Sequence, residues 1–141
     1  MTRMKKILTI FIIFLTLSCS KNPESYIEHL NGYWEIDEVT LPDGSKKDYN
    51  YNDTIDFIEI NDSLTGFRKK LQPQFDGTYA TSADAESLKV VIENDSLNIY
   101  YKTPYFKWKE TVLKATKDQL IVQNQNKLRY VYKRYEPIVI E

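Results

Sequence analysis

Signals for short β-strands recur from residue 33 to residue 135, at roughly 8–12-residue intervals and with polar turn residues between them. This spacing is typical of an antiparallel barrel or sandwich, and the many tyrosine, phenylalanine, valine and isoleucine residues favour strands over helices. The predicted strands are 33–40, 54–60, 64–71, 77–81, 87–93, 97–103, 107–115, 120–125 and 127–135. No stretch after residue 30 has the length and periodicity of a crossover helix, which argues against a parallel sheet. The sequence therefore predicts an all-β domain.

Three of the predicted junctions use the same turn, a polar segment with an aspartate followed by a leucine that opens the next strand. These junctions are 60–64, 93–97 and 116–120. Such short connections predict three local hairpins. Pro42-Asp43-Gly44-Ser45 is a further turn signal next to the longest irregular stretch, 43–53, and residues 82–86 form a second loop. The alternation in 107–115 changes phase, which indicates a β-bulge.

The N-terminus has the organisation of an export signal. Three basic residues, Arg3, Lys5 and Lys6, precede an apolar stretch, 7–17, that is shorter than the roughly 20 residues a membrane-spanning helix needs. Residues 1–18 are therefore predicted to be a cleaved signal peptide.

The end of this segment, Leu15-Thr16-Leu17-Ser18-Cys19, resembles the lipobox of bacterial lipoproteins. The resemblance implies that Cys19 is acylated and becomes the first residue of the mature protein, which is then held in a membrane by its acyl chains. Ser20 stands where an inner-membrane retention signal would show aspartate, so the expected location is the outer membrane, at its periplasmic face or at the cell surface. The alternative is an ordinary secretory signal followed by a free thiol.

Composition narrows the chemistry of the predicted mature chain, residues 19–141. Cys19 is the only cysteine, so a disulfide or a thiolate metal site is not expected. Of the 19 basic and 20 acidic residues, 16 basic and 20 acidic ones remain after removal of residues 1–18, a net charge of −4. This acidic balance argues against nucleic acid or an anionic membrane as the main partner.

Catalytic machinery is also not expected. His29 is the only histidine, and the four glycines are too far apart to form a phosphate-binding loop. Carboxylate pairs such as Asp53 with Asp56, or Glu59 with Glu93, could support hydrolysis, but solvated turns and strand faces account for them more simply. The sequence indicates a protein that is not an enzyme and needs no cofactor and no metal.

The segment before the first strand reads as a tether and a short helix, residues 19–30. Asn22 is placed as a helix N-cap, followed by Pro23 at the first helical position and Glu24 in the first turn, which predicts a helix over 23–30. The barrel domain is then predicted over 31–136, with an apolar C-terminal tail at 137–141.

Two features near the ends of the domain resemble the lipocalin family. Gly32-x-Trp34 follows the predicted helix as the Gly-x-Trp signature of lipocalins does, and the segment 114–134 resembles the last hairpin of small lipocalin-like lipoproteins of Gram-negative bacteria. The resemblance implies a small antiparallel up-and-down β-barrel of eight or nine short strands. It also implies that the Trp34 indole fills the closed end of the barrel and that Arg134 packs over it.

The resemblance further implies a binding protein for a small apolar or amphipathic ligand. The predicted wall residues are aromatic: Phe57, Tyr100, Tyr130 and Tyr132. The ligand is expected to enter opposite Trp34, between loops 43–53 and 82–86. The alternative is an accessory subunit of an outer-membrane protein assembly that docks by the barrel surface or by the apolar tail 138–140.

The sequence permits two interpretations of the basic-aromatic clusters 67–70 and 105–109. They could bind an acidic polymer or lipid headgroups through charge and cation–π contacts. They are also explained by strands whose aromatic side chains face inward while the lysines face solvent.

Overall fold

The computed structural model describes residues 22–82 and 84–137. The chain forms a 3₁₀ helix at Pro23–His29 and the strands β1 Gly32–Thr40, β2 Lys46–Asp48, β3 Ile55–Ile60, β4 Thr65–Pro73, β5 Tyr79–Thr81, β6 Glu86–Glu93, β7 Ser96–Lys102, β8 Lys107–Ala115, β9 Gln119–Asn124 and β10 Arg129–Arg134. Across these two ranges, no helix has the length and apolar character needed to span a bilayer. The predicted signal peptide 1–18, Cys19 and the tail segment 138–141 lie outside the described residues.

Eight of the strands close into an antiparallel barrel with the order β1-β3-β4-β6-β7-β8-β9-β10, and β10 pairs back onto β1. Closure sets Trp34 opposite Arg134 and Val39 opposite Tyr130. The barrel fold predicted from the sequence is confirmed. The three predicted hairpins are also present as β3–β4, β6–β7 and β8–β9.

The bulge predicted in 107–115 is present, since the β8–β9 register shifts between Val112 and Lys114. A second bulge interrupts β1 between Ile36 and Glu38. A bulge bends its strand, and bends of this kind help a sheet to curve into a barrel.

Two predictions about local structure were wrong in part. The stretch 43–53 is not wholly irregular, because Asp43 accepts hydrogen bonds from the backbone N–H and the hydroxyl of Ser45 and closes a turn that lets β2 pair with β1. The helix at 23–30 is a 3₁₀ helix, and the Asn22 side chain does not cap it. Instead, the Asn22 carbonyl accepts hydrogen bonds from the N–H and the hydroxyl of Ser25.

The two ends of the barrel differ. At the end that we call the closed end, the 3₁₀ helix contacts β7 and β8, and Leu30 and Trp34 are fully buried together with Leu97 and Ile99. The opposite end, the open end, carries the β1–β2 and β4–β5 turns and the β7–β8 and β9–β10 loops. The core therefore occupies the closed end and the middle, and a cavity in the barrel interior opens toward the open end.

Candidate functional site

Trp34 and Arg134 seal the closed end. The Trp34 side chain is fully buried, and its indole N–H donates a hydrogen bond to the Leu30 carbonyl at 2.9 Å. The guanidinium carbon of Arg134 lies 3.6 Å from the centre of the indole ring. Arg134 also donates hydrogen bonds to three carbonyls, those of Asn31 at 2.8 Å, His29 at 3.0 Å and Lys117 at 2.9 Å. One side chain thus ties the helix, the β8–β9 turn and the indole together.

Gly32 is required by this arrangement. Its φ is +120°, a conformation that residues with side chains rarely adopt, and a Cβ at this position would lie 2.6 Å from Arg134 Nη1. Burial lowers the pKa of Arg134, while Asp118 opposes that shift. Arg134 therefore holds the elements of the closed end together over the buried Trp34 side chain.

The middle of the barrel contains a buried ionic group around Arg68, which we call the interior charge cluster: Asp56, Arg68, Glu86 and Glu110. Arg68 Nε lies 2.6 Å from a Glu86 carboxylate oxygen, and Arg68 Nη1 lies 3.5 Å from one of Glu110. The guanidinium carbon also lies 4.2 Å from the centre of the buried Tyr101 ring. Burial alone would lower the pKa of Arg68, but Tyr101, Glu110 and Glu86 hold that pKa well above its usual range. Arg68 is therefore a permanent cation inside the barrel.

Burial also raises the pKa values of two groups near Arg68. Desolvation raises the pKa of Glu110 against the opposing effect of Arg68. Burial, together with Asp56 and Glu110, raises the pKa of Tyr132 well above its usual range, so that Tyr132 keeps its hydroxyl proton. The space between these side chains is only about 10 Å³, room for about one water molecule. The centre of the barrel therefore excludes an organic ligand.

Above the interior charge cluster, toward the open end, lies a cavity of about 280 Å³ that we call the mouth cavity. It is lined by Trp34, Ile36, Val39, Tyr49, Asn52, Asp53, Thr54, Ile55, Asp56, Lys70, Tyr130 and Tyr132. Three of these residues, Trp34, Asp56 and Tyr132, also line the small space below and so form the floor. Apolar side chains and carboxylate or amide groups share the wall, which makes the mouth cavity amphipathic.

Asp56 places a buried carboxylate on the floor of the mouth cavity. Its side chain is 5% exposed, and its Oδ1 atom has no hydrogen-bond donor among the described residues. Lys70 Nζ lies 2.5 Å from this atom, but the approach lacks hydrogen-bond geometry, and the Lys70 side chain is 63% exposed. A buried carboxylate oxygen without a well-directed donor costs free energy. The floor of the mouth cavity therefore offers an acceptor to a donor that enters from the open end.

Two of the four predicted wall residues line the mouth cavity, and two do not. Tyr130 and Tyr132 lie in its wall. Phe57 is on the outer surface, because its neighbour Asp56 pairs with the inward Trp34, and its ring contacts those of Tyr33 and Phe67 at 4.8 and 5.9 Å between ring centres.

Tyr100 also lies on the outer surface, because neighbouring residues of a strand face opposite sides. Its neighbour Tyr101 faces the core, and the Tyr100 hydroxyl donates a hydrogen bond to Glu93 on the outside. The prediction that Phe57 and Tyr100 form the wall is therefore wrong by one step of strand alternation.

Of the two loops predicted to flank the entrance, one lines the mouth cavity. Tyr49, Asn52 and Asp53, from loop 43–53, contribute to the wall, whereas the described part of 82–86 does not. Sequence reasoning missed Asp56 and Lys70 as site residues. The signal was present, since Asp56 is flanked by Ile55 and Phe57 in a predicted strand, but the carboxylate was interpreted as solvated. Among the described residues, no three histidine, cysteine or acidic side chains are close enough to hold a metal ion.

Comparison with known proteins gives two matches. A family model described as a lipocalin-like domain matches residues 30–122. The fold is also similar to the crystal structure of a lipocalin-like protein from Bacteroides uniformis ATCC 8492, with 10% sequence identity, a TM-score of 0.49, and coverage of 76% of this chain and 99% of that one. No curated protein matches the sequence.

Proposed function

The chain belongs to the lipocalin-like domain family, and from that premise we propose that it is a membrane-anchored binding protein that takes one small amphipathic molecule in the mouth cavity. Members of this family are typically binding proteins without enzymatic activity. The proposal assigns the apolar part of the ligand to the side formed by Ile36, Val39 and Tyr132, and its polar end to Asp56.

The observation that carries this proposal is the buried Oδ1 atom of Asp56 on the cavity floor, which pairs with the exposed Lys70 ammonium but accepts no hydrogen bond among the described residues. A hydroxyl or ammonium group that donates to it would form a charge-assisted hydrogen bond in a water-poor site, an interaction worth about 1.5–3 kcal/mol. An anionic head would meet two carboxylates, Asp53 and Asp56, against the single ammonium of Lys70, which already pairs with Asp56, so that like-charge repulsion would outweigh the attraction. The preferred ligand is therefore a donor or a cation at its polar end.

The size of the mouth cavity limits the ligand further. Sites for drug-sized molecules span about 300–1,000 Å³, and the mouth cavity, at about 280 Å³, lies just below this range. Since the space below is nearly filled, a long acyl chain has no channel to enter. A molecule with one or two rings, or a short chain, fits better.

The proposal is tested with three indoles that share a ring and differ in the head: tryptamine, tryptophol and indole-3-propionate. Isothermal titration calorimetry should rank tryptamine first, tryptophol second and the propionate last. Asp56→Asn should weaken tryptamine by about tenfold or more, which corresponds to about 1.4 kcal/mol, and should remove most of the preference over tryptophol.

Asp62→Asn is the matched control, because Asp62 is an exposed aspartate in the turn at the closed end. It should leave all three affinities unchanged. If none of the indoles binds, or if the propionate binds best, the assignment of Asp56 as the acceptor is wrong. If the protein then retains partner proteins through purification, the accessory-subunit hypothesis takes its place.

The proposed anchor is the acylated Cys19, with the outer membrane as its location. One acyl chain binds a bilayer only marginally, whereas two or three hold a protein firmly. Cys19→Ser should move the protein out of the membrane fraction, as followed by immunoblotting of fractionated cells, while Ser20→Ala should leave it there. A Cys19→Ser protein that is processed normally and stays membrane-bound would refute the anchor without affecting the binding site.

A further inference from the structure

The outer surface of β6, β7 and β8 carries a group of lysines that the binding site does not use. Leu88 and Tyr101 face the core in these strands, so the residues next to them in each strand face solvent. The lysine face, as we call it, consists of Lys89, Lys102, Lys107 and Lys109. Within the described residues, none of these four lysines has a carboxylate within ion-pair distance. The surface is thus locally cationic, although the predicted mature chain as a whole carries a net charge of −4.

The lysine face surrounds an open depression of about 510 Å³. Its lining includes all four lysines together with Ser87 and Tyr100. Ser87, Lys102 and Lys107 form one cross-strand row, and Lys89, Tyr100 and Lys109 form another. The acidic residue at the edge of the depression is Glu93, which accepts hydrogen bonds from Tyr100 and Asn98. These hydrogen bonds, together with the charge of Lys109, lower the pKa of Glu93. The centre of the depression is therefore open to anionic groups from outside.

Two aromatic side chains extend this surface at the open end. Tyr105 and Phe106, in the β7–β8 loop, are 86% and 73% exposed. The loop is nevertheless ordered, since the backbone N–H groups of both residues donate to Thr103 Oγ1 at 3.3 and 3.1 Å. Exposed aromatic rings next to lysines match the chemistry of a bilayer surface, where rings enter the interface and lysines meet anionic headgroups. A soluble acidic polymer would satisfy the lysines but would leave both rings in water.

The start of the described chain lies on the same side of the barrel. The 3₁₀ helix packs on β7 and β8, and Tyr26 donates a hydrogen bond to the Leu113 carbonyl of β8 at 3.2 Å. Cys19 lies three residues before Asn22, a span of at most about 11 Å. The lysine face begins four residues along β8 from Leu113, about 13 Å away.

These distances decide the orientation of an anchored protein. If the barrel stood on its closed end, the lysines would lie about 13–20 Å above the headgroups, farther than the roughly 8 Å over which charges act in physiological salt. If the barrel lay on its β6–β8 side, the lysines, the depression and the aromatic rings would meet the bilayer together. The lysine face would then contribute only in the second orientation.

We propose that the lysine face, with Tyr105 and Phe106, docks on the anionic lipid surface of the membrane that holds the chain, so that the barrel lies on its side. This inference rests on the anchor proposed at Cys19. It leaves the mouth cavity at the open end accessible from the plane of the membrane surface. Headgroups with a negative charge occupy the depression, and the two rings enter the interface beside it.

The test is lysine footprinting of the full chain, reconstituted through its native anchor into vesicles. Vesicles of phosphatidylcholine alone are compared with vesicles that contain phosphatidylglycerol in addition, and the labelling of each lysine by a water-soluble amine reagent is followed by mass spectrometry. In the anionic vesicles, Lys89, Lys102, Lys107 and Lys109 should react about threefold more slowly, and the protection should disappear at high salt. Lys47 and Lys133, on β2 and β10, should react alike in both vesicles.

The aromatic contribution is tested with the double substitution Tyr105→Ser and Phe106→Ser, which should at least halve the protection. Phe75→Ser is the matched control, because Phe75 is 97% exposed in another turn of the same end and should have no effect. Equal labelling in the two vesicles would overturn the proposal. So would equal protection by soluble polyglutamate, which would assign the surface to an acidic polymer.

Failure of the anchor would be seen separately. A Cys19→Ser protein that is processed normally and remains in the membrane fraction overturns the anchor and, with it, the reason for the side-on orientation. Protection of the lysine face in that variant would still show contact with lipid.

Discussion

Arg134→Ala tests the closed end, where one side chain makes four contacts. The hydrogen bond to the His29 carbonyl is partly buried and, being charge-assisted, contributes about 1.5 kcal/mol. Those to Asn31 and Lys117 are exposed, so that water replaces them at a cost of about 0.5 kcal/mol each. The cation–π contact with the Trp34 ring adds about 1 kcal/mol. We therefore expect a loss of about 3.5 kcal/mol in the free energy of unfolding.

Arg134→Lys should recover only part of this loss. An ammonium group keeps the charge but cannot reach three carbonyls while it covers the indole, since it lacks the planar fork of the guanidinium. A loss of about 2 kcal/mol is expected.

Urea denaturation followed by far-ultraviolet circular dichroism gives these free energies without relying on the fluorescence of Trp34. Arg129→Ala is the control, because Arg129 is exposed on the same strand and should change stability by no more than about 0.5 kcal/mol. If Arg134→Ala lost less than about 1 kcal/mol, or if the lysine and alanine variants lost equal stability, the guanidinium would not hold the closed end together as described above.

Two further predictions concern stability. Gly66→Ala should cost at least about 3 kcal/mol of unfolding free energy, because its Cβ would lie 1.8 Å from the Glu59 carbonyl oxygen. Gly44→Ala should cost only about 1 kcal/mol, because its Cβ would meet nothing within 4 Å and only the φ of +88° is unfavourable. Equal losses for the two variants in urea denaturation would contradict the close approach of β3 and β4. The raised pKa of Glu110 means that the folded state binds more protons than the unfolded state, so this group's contribution to stability falls as pH rises from about 4.5 through the folded pKa. Glu110→Gln should flatten that decline when unfolding is measured at pH 5 and pH 7, and an unchanged pH dependence would show that Glu110 is not the group responsible.

Residues that follow a local pattern were accessible from the sequence. The turns before Leu64, Leu97 and Leu120 depend on short polar segments, and the structure contains each of those hairpins. The contact of Arg134 with Trp34 was implied by resemblance to a family, and their distance could not have been derived from spacing.

The candidate site was less accessible, for two physical reasons. A strand exposes alternate residues, so an error of one position reverses the face, and this moved Phe57 and Tyr100 from the interior to the surface. Charged residues are assigned to solvent by default, but Glu110 is buried next to Arg68, and Asp56 is buried next to the Lys70 ammonium. Such compensation depends on contacts between distant strands, which a single sequence does not show.

The pairing of β1 with β10 has a consequence for the order of folding. Asn31 and Arg134 are hydrogen-bonded across 103 positions, so the barrel cannot close until the last strand has been synthesised. Contacts between the two ends of a chain slow folding, because a long loop must be closed before they form. A chain that ends before residue 129 would lack the partner of β1 and would leave the Trp34 indole in water. Such a truncated chain should therefore stay unfolded, and completion of the last strand should be the event that commits the domain to its native state.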